Sequence, residues 1–449
     1  MARNANITVG ENWIISGAGV INAGTSTVNL VAASGTKSIA SRNQPFYDIA
    51  FNGAALFRIT NNLFVNNDLN ILNGMLDVSN SPSYNVYVAG DWTNQASFNA
   101  QTGTVVFNGS SGQAIYRSTG ENYYNLTIQN TGSGVTLANG NVTVANQLTM
   151  VSGNIITGSY RLVVGTSVFS PGSLSRTAGI IVGNMTRWIN SVATDYLFPV
   201  GSATEYHYAI LRPVSGLTAG TVTISYIASD PGSTGLPLRE GSDSVIVQFG
   251  RGYWNAQPAN GFNCTNYSLS LLANFFSNGD SFVNAGSRIL RRNNSGPWFL
   301  DGNHQDATIT PTDTVCYRLA LNGLDPVACQ FTIGGTSCIG GIIASDQIVC
   351  QGVVPSPFTN VEFPKGGNGV FTYTWQYSTN LTANPGDGSW TDLPGSNAAN
   401  YAYSSPITSK MLIVRKVTVP GCTAKYSNVL FIDMYYAPNT GPLYRVPNK

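Results

Sequence analysis

The sequence has 449 residues, a length that predicts about two to four domains. Only 10% of the residues are charged and the net charge is +1, which excludes the electrostatic footprint of a protein that binds nucleic acid or an anionic membrane surface. No apolar run approaches the roughly 18 residues of a membrane span, so we expect no membrane insertion.

Uncharged polar residues take the place of the charged ones. Asn, Ser, Thr and Gly favour turns and strand faces over helices. Long helices on a soluble surface present Glu and Lys on their wet face, and the sequence contains no such stretch. We therefore predict an all-β protein. The residues after Met1 contain no apolar stretch typical of a signal peptide. We interpret the sequence as a mature form or a trimmed segment, so this absence does not argue for a cytoplasmic protein.

Residues 1–184 are predicted to form a β-helix or solenoid. Short apolar runs, many alternating with polar residues, are separated by Asn-Gly and Gly-Ser corners. Residues 22–30 resemble residues 99–107, and residues 46–51 resemble residues 123–128, both at an offset of 77 residues. Very short strands at regular spacing favour a solenoid. A pair of tandem sandwiches of about 80 residues each is the alternative.

The rest of the chain has longer strands. Residues 185–335 alternate strand-like runs with turn signals and are predicted to form an antiparallel β-sandwich. Residues 336–435 contain Cys350, Trp375 and Cys422 in an order that favours a second, immunoglobulin-like sandwich. Residues 436–449 contain three prolines and are predicted to form an extended tail.

The cysteines indicate structural disulfides and an oxidising compartment. No pair has CxxC spacing and the chain has only two histidines, so we expect neither zinc nor another metal or cofactor. Reduced, buried thiols are the alternative, and the spacing does not give the connectivity. The disulfide candidates are Cys264, Cys316, Cys329, Cys338, Cys350 and Cys422.

Few residues are candidates for catalysis, and none is predicted to be catalytic. A hydrolase triad needs a histidine. His207 lies in a predicted strand edge, exposed or half-buried, and His304 lies in a polar turn with Asp301 and Asp306 that could bind a cation or be simply solvated. The acids of residues 1–165 occupy unrelated points of the repeat, which argues against the paired carboxylates of a polysaccharide-cleaving β-helix enzyme.

Four residues are candidates for surface binding. Strand alternation places Arg288 and Arg292 on one face, which is either solvated or a patch for an acidic partner or glycan. Tyr435 and Tyr436 are candidates for stacking on sugars, with core packing as the alternative.

Ten short motifs lie in residues 90–94, 103–109, 124–128, 153–156, 197–201, 211–214, 346–350, 373–377, 390–393 and 421–428. In this order along one chain, they resemble motifs of large secreted surface proteins of Bacteroidota. In these proteins the first motifs build a β-helix-like stalk and the last belong to Ig/PKD-like repeats. The resemblance implies export by the type IX route and a role as an adhesin or surface fibre, although neither an export signal nor the usual C-terminal sorting domain is recognisable.

The sequence therefore predicts a non-catalytic, extracellular structural subunit or stalk segment of a bacterial cell-surface fibre. Its expected partners are copies of itself or other surface subunits. A surface adhesin that binds glycans or host and abiotic surfaces is the alternative, and a polysaccharide-degrading β-helix enzyme is a more distant one.

Overall fold

The computed structural model describes residues 4–17, 20–79, 81–241, 243–278, 281–324, 328–335, 338–364, 370–419 and 423–435. These residues form 42 strands and no helix, which confirms the prediction of an all-β protein. No helix of the described residues is long and apolar enough to cross a membrane. The predicted tail, with Tyr436, and Cys422 lie outside the described residues.

The N-terminal part is a β-solenoid of about eight turns, as predicted. Its strands are β1 (Asn6–Val9), β2 (Trp13–Ile14), β3 (Thr27–Leu30), β4 (Thr36–Ala40), β5 (Asp48–Phe51), β6 (Leu56–Ile59), β7 (Leu63–Val65), β8 (Leu69–Ile71), β9 (Met75–Asp77), β10 (Val86–Val88), β11 (Trp92–Asn94), β12 (Ser97–Asn99), β13 (Thr104–Phe107), β14 (Gln113–Tyr116), β15 (Glu121–Gln129), β16 (Val135–Leu137), β17 (Val142–Ser152), β18 (Ile155–Val164), β19 (Ser173–Arg176) and β20 (Ile181–Ile189).

Each turn stacks on the next through parallel pairing in register. Val28 of β3 pairs with Ile49 of β5, Ile49 pairs with Leu69 of β8, and Leu69 pairs with Trp92 of β11. All four side chains are buried, so the apolar position of every strand enters the interior of the solenoid. Paired residues lie 19 residues apart between Leu56 and Met75 and 26 apart between Ile155 and Ile181, and these offsets bracket the length of one turn.

The 77-residue repeat of the sequence is not a structural unit. Ile49 pairs with Leu69, whereas its sequence counterpart Leu126 pairs with Val105 and Leu148 in a different ladder of strands. The two similar segments therefore belong to different ladders of strands. An inward-facing position accepts any apolar side chain of suitable size, so segments from non-equivalent strands resemble one another.

The middle unit follows the solenoid and contains two groups of antiparallel strands. Its strands are β21 (Tyr196–Phe198), β22 (Ala209–Thr218), β23 (Gly220–Ile227), β24 (Leu238–Glu240), β25 (Asp243–Val245), β26 (Val247–Gln248), β27 (Tyr253–Ala259), β28 (Asn263–Leu272), β29 (Ser277–Asn278), β30 (Ser281–Phe282), β31 (Arg288–Asn293), β32 (Asn303–Ile309), β33 (Thr314–Asn322) and β34 (Cys329–Gly335).

No break separates the solenoid from the middle unit. The last solenoid strand, β20, pairs antiparallel with β23, and the ladder continues through β27 and β34 to β31. Strands β21, β22, β28, β33 and β32 form a separate antiparallel sheet. Buried side chains of both sheets join those of the solenoid in one hydrophobic core that extends from Val28 to Ile333. The solenoid is therefore capped at this end by packed structure.

The C-terminal unit has a core of its own. Trp375 is fully buried there and lies between Phe358 and Tyr401, with ring centroids 5.9 Å away in each case. Its strands are β35 (Ile342–Ile343), β36 (Gln347–Cys350), β37 (Asn360–Glu362), β38 (Thr372–Ser378), β39 (Thr391–Asp392), β40 (Met411–Thr418), β41 (Lys425–Tyr426) and β42 (Leu430–Tyr435).

Candidate functional site

The two arginines predicted to face a partner or solvent are buried. Arg288 is 5% exposed and Arg292 is 6% exposed. Arg288 Nε donates a hydrogen bond to Glu240 Oε2 over 2.6 Å, and the Arg292 guanidinium lies 4.2 Å from the centre of the Trp298 ring. Glu240, in the β24–β25 hairpin, and Trp298 cover the face of β31 that carries these two arginines. These arginines therefore form neither the solvated face nor the partner-binding patch that the sequence predicted.

The buried arginines belong to a polar network inside the middle unit. Arg318 Nη2 lies 2.8 Å from Glu240 Oε1, so two guanidinium groups share one carboxylate. Burial opposes the ionisation of Glu240, but the hydrogen bonds and charges of Arg318 and Arg288 outweigh it and lower the pKa of Glu240. This network ties the β24–β25 hairpin to β31 and β33.

The predicted polar turn at His304 is part of strand β32. Asp301, proposed as a cation ligand, instead accepts hydrogen bonds from Arg291 Nη1 at 2.6 Å and from Asn322. His304 Nε2 contacts Asp306 Oδ1 at 3.1 Å, and burial together with the charge of Arg288 lowers the pKa of His304. No group of three His, Cys, Asp or Glu side chains that could hold a metal occurs within the described ranges.

His207 is fully buried, so the prediction of an exposed or half-buried strand edge is wrong. Its ring stacks on Tyr226 with centroids 4.3 Å apart. His207 Nδ1 lies 3.2 Å from the carbonyl oxygen of Leu272, and Nε2 lies 3.3 Å from Glu205 Oε2. Burial lowers the pKa of His207, although the Leu272 contact opposes this shift. The side chain is an element of the aromatic core.

The cysteines differ from the predicted set of disulfides. Cys338 is disulfide-bonded. Cys264 and Cys316 are free and buried, and Cys350 is free and exposed. The thiol of Cys329 accepts a hydrogen bond from Arg291 Nη2 over 3.4 Å. Because Cys350 lies at the surface, it does not pack against Trp375 as the immunoglobulin-like pattern implied.

Three acids of the solenoid occupy equivalent positions, contrary to the expectation that they are unrelated. Asp48 Oδ1 accepts the backbone N–H of Asp68 over 3.1 Å, and Asp68 Oδ1 accepts that of Asp91 over 2.8 Å. Asp91 Oδ1 in turn accepts the N–H of Ala114 over 2.8 Å. Each carboxylate thus bridges one turn to the next, and all three are half-buried. We name Asp48, Asp68 and Asp91 the aspartate ladder.

Tyr435 is exposed at one edge of the C-terminal sheet. It pairs with Cys350 of β36, and β36 pairs with β42 alone among the described strands. Tyr435 and Ile348 are each 64% exposed, so this edge presents apolar side chains beside unpaired backbone groups.

The first turn of the solenoid is less covered than the turns that follow it. Strand β1 pairs only with β3, and β2 pairs only with β4, among the described strands. The inward-facing side chains Ile7, Val9 and Trp13 are only half-buried, whereas Val28 and Leu30 of the next turn are 3% and 0% exposed. We name β1 and β2 the open rung. Sequence patterns did not identify it, because its strands read like those of any other turn.

Comparison with known proteins finds similarity in the C-terminal unit. Residues 339–435 match a family model described as "Domain of unknown function (DUF8696)". No curated protein and no solved structure matches the chain. The match covers less than a quarter of the 449 residues and coincides with the unit that has its own core. The C-terminal unit is therefore similar to this family, whose description gives no activity.

Proposed function

We propose that this chain is a non-catalytic structural subunit, a stiff stalk segment of a bacterial cell-surface fibre that assembles from copies of itself. The observation that carries the proposal is the continuous sheet from β1 to β31, which shares one hydrophobic core across the solenoid and the middle unit. A sheet and core without an internal boundary resist bending at a hinge, and that stiffness is what a stalk requires.

The interior of the solenoid supports the same function. Phe51, Phe57, Trp92 and Phe107 are fully buried in it, so the interior is packed with side chains. Eight turns spaced by the usual 4.7–4.9 Å between strands give a rod of about 40 Å. The middle and C-terminal units follow along the chain.

The two later units fit the role of sandwich modules on this stalk. We propose that both are immunoglobulin-like β-sandwiches. The two antiparallel sheets of the middle unit contribute to one core, and the C-terminal sheet packs around a buried Trp375, which supports this assignment. The disulfide at Cys338 supports an oxidising, extracellular location.

Negative-stain electron microscopy of the purified chain under non-reducing conditions tests the proposal. We expect fibres whose subunit repeat equals the length of one chain, and antibody labelling of intact cells should place the same fibres at the cell surface. Single rods at every protein concentration, or labelling confined to the cell interior, would contradict the proposal. Immunoglobulin-like topology would be rejected by an experimental structure with a different strand order.

A further inference from the structure

One ladder of the solenoid carries two outward rows of uncharged side chains. Its strands β7, β10, β13, β15, β17 and β19 pair in parallel register, and inward residues such as Leu63 and Val86 alternate with outward ones. The first row is Phe64, Tyr87, Val106, Thr127, Thr149 and Ser175, and the second is Asn62, Asn85, Thr104, Asn125, Gln147 and Ser173. We name these two rows the neutral face.

The charged side chains of the solenoid strands lie elsewhere. Lys37 in β4, Arg58 in β6 and Asp48 in β5 belong to other ladders. Arg176, at the end of β19, aligns with the inward-facing Met150 and lies 3.6 Å from the centre of the Tyr206 ring. The neutral face therefore has no charge with which to attract an ion, and its amides and hydroxyls suit an uncharged ligand.

Two amides of the neutral face are held in place as hydrogen-bond donors. Asn62 Oδ1 accepts the backbone N–H of Asn85 over 3.0 Å, and Asn85 Oδ1 accepts that of Thr104 over 3.0 Å. These bonds orient both side chains, and neither Nδ2 group has a hydrogen-bond partner among the described residues. The two Nδ2 groups are therefore oriented in advance for a ligand that repeats once per turn, at about 4.8 Å.

An apolar platform lies beside these donors. The rings of Phe64 and Tyr87 lie parallel, with centroids 4.5 Å apart and 7° between their planes. Both rings are half-buried although they point away from the interior, and Val106, next in the row, is 6% exposed. An apolar surface flanked by fixed polar groups is what a carbohydrate needs, because a sugar presents C–H groups and hydroxyls side by side.

The shape of the neutral face selects an extended ligand. At the usual spacing between strands, β7 and β19 are about 24 Å apart along the rod. A protein strand does not add to this surface, because the backbone groups of these strands already pair within the sheet. An extended polysaccharide repeats its hydroxyls and its apolar ring face once per sugar, over a length close to one turn of the solenoid.

We propose that the neutral face binds an uncharged polysaccharide chain that lies along the axis of the solenoid. This site goes beyond the proposed stalk and does not depend on fibre assembly. A chain that contacts several turns at once gains affinity with each sugar that it adds, up to the length of the face.

Biolayer interferometry with the immobilised full chain tests the site. The neutral probes are cellohexaose, laminarihexaose and mannohexaose, each with its disaccharide, and hexagalacturonate is the charged probe. We expect at least one neutral hexasaccharide to bind at least tenfold more tightly than its disaccharide and than hexagalacturonate. Binding of none of the neutral hexasaccharides, or equal binding of hexagalacturonate, would overturn the proposal and leave the fibre proposal intact.

Substitutions locate the binding on the neutral face. Thr127→Arg places a long charged side chain in the middle of the first row, and we expect the Kd of the best hexasaccharide to rise at least tenfold. Thr136→Arg is the matched control and should leave the Kd unchanged, because Thr136 is exposed on β16 in another ladder. Urea unfolding curves establish that both variants are folded.

Asn85→Asp tests the fixed donors separately. Aspartate keeps an oxygen that accepts the N–H of Thr104 but removes the Nδ2 donor, so we expect weaker binding without loss of stability. Thr136→Asp adds the same charge outside the neutral face and should have no effect on the Kd. Unchanged binding in both Asn85→Asp and Thr127→Arg would place the sugar elsewhere and overturn the proposal.

Discussion

In the aspartate ladder, the same side chains stabilise the solenoid through hydrogen bonds and destabilise it through their charge. Burial raises the pKa of Asp68, and the like charges of Asp91 and Asp48 add to the shift, whereas the backbone N–H of Asp91 opposes it. The side chain is needed as a hydrogen-bond acceptor, but its charge is unfavourable. A substitution can therefore keep the hydrogen-bond acceptor of Asp68 and remove its charge.

Asp68→Asn should keep the acceptor and remove the charge. Because the pKa of Asp68 is higher in the folded than in the unfolded state, ionisation weakens the folded state as pH rises. Asparagine should therefore increase the free energy of unfolding at neutral pH. We expect the free energy of unfolding to rise by about 0.5 kcal/mol at pH 7, a small value because solvent screens a half-exposed carboxylate. Urea unfolding at pH 7 and pH 3 measures it, and the gain should vanish at pH 3. Asp68→Ala should instead lose about 1 kcal/mol.

Glu121 is a buried carboxylate that sequence reasoning did not distinguish from the exposed acids. It is 3% exposed and accepts hydrogen bonds from Trp92 Nε1 at 2.7 Å and Asn94 Nδ2 at 2.8 Å. Burial raises its pKa, against the opposing hydrogen bonds of Asn94, Trp92 and Asn122 and the charge of Arg117.

The raised pKa of Glu121 predicts a pH dependence. Its contribution is fully present below the unfolded pKa and is lost as pH rises through the folded pKa. Glu121→Gln should therefore flatten the fall in unfolding free energy as the pH rises above about 4, the ordinary pKa of a glutamate, as measured by urea titrations at several pH values. Glu11→Gln is the control, because Glu11 is exposed. If the unfolding free energy fell equally steeply with pH in Glu121→Gln and in the native chain, this assignment would be refuted.

At the scale of elements, the corners between strands depend on buried amides. Asn130 is 0% exposed, and its Nδ2 donates to the carbonyl of Ser111 over 2.7 Å. Its Oδ1 accepts the backbone N–H groups of Gly132 and Gly134, each over 2.9 Å. Asn130→Ala removes these bonds and leaves the buried N–H of Gly134 unpaired, so we expect it to lower the unfolding free energy by about 2 kcal/mol. Asn146→Ala, at an exposed position, should change it by less than about 0.5 kcal/mol in the same urea titration.

Individual strands of the solenoid could be predicted from the sequence, but their stacking could not. Alternation identified the runs that became β8, β10 and the first part of β17, because period-two burial is local. The turn length of 19–26 residues was missed, since corner loops vary and inward positions accept many side chains. The burial of Arg288 was missed because its partner Glu240 lies 48 residues away.

At the scale of the whole molecule, the two large hydrophobic cores, apart from a small cluster around Trp298 within the middle unit, predict two unfolding units. One core joins the solenoid to the middle unit, and the other belongs to the C-terminal unit. Ile224→Ala, in the middle unit, should cost about 2–4 kcal/mol and also speed hydrogen exchange in the adjoining solenoid turns. Ile413→Ala, in the C-terminal core, should cost a similar amount and leave exchange in the solenoid unchanged. If either variant changed hydrogen exchange in both hydrophobic cores, this division into two unfolding units would be contradicted.

The direction of the solenoid hydrogen bonds has a mechanical consequence. Bonds between successive turns run along the axis of the rod, so tension on a surface-attached chain would load every turn in series. The weakest turn would then open first, and each opening would release one turn of 19–26 residues. Fully extended, that length is about 65–90 Å. Under load such a rod would lengthen in discrete steps and dissipate a sudden pull, instead of passing it undiminished to whatever the rod is attached to.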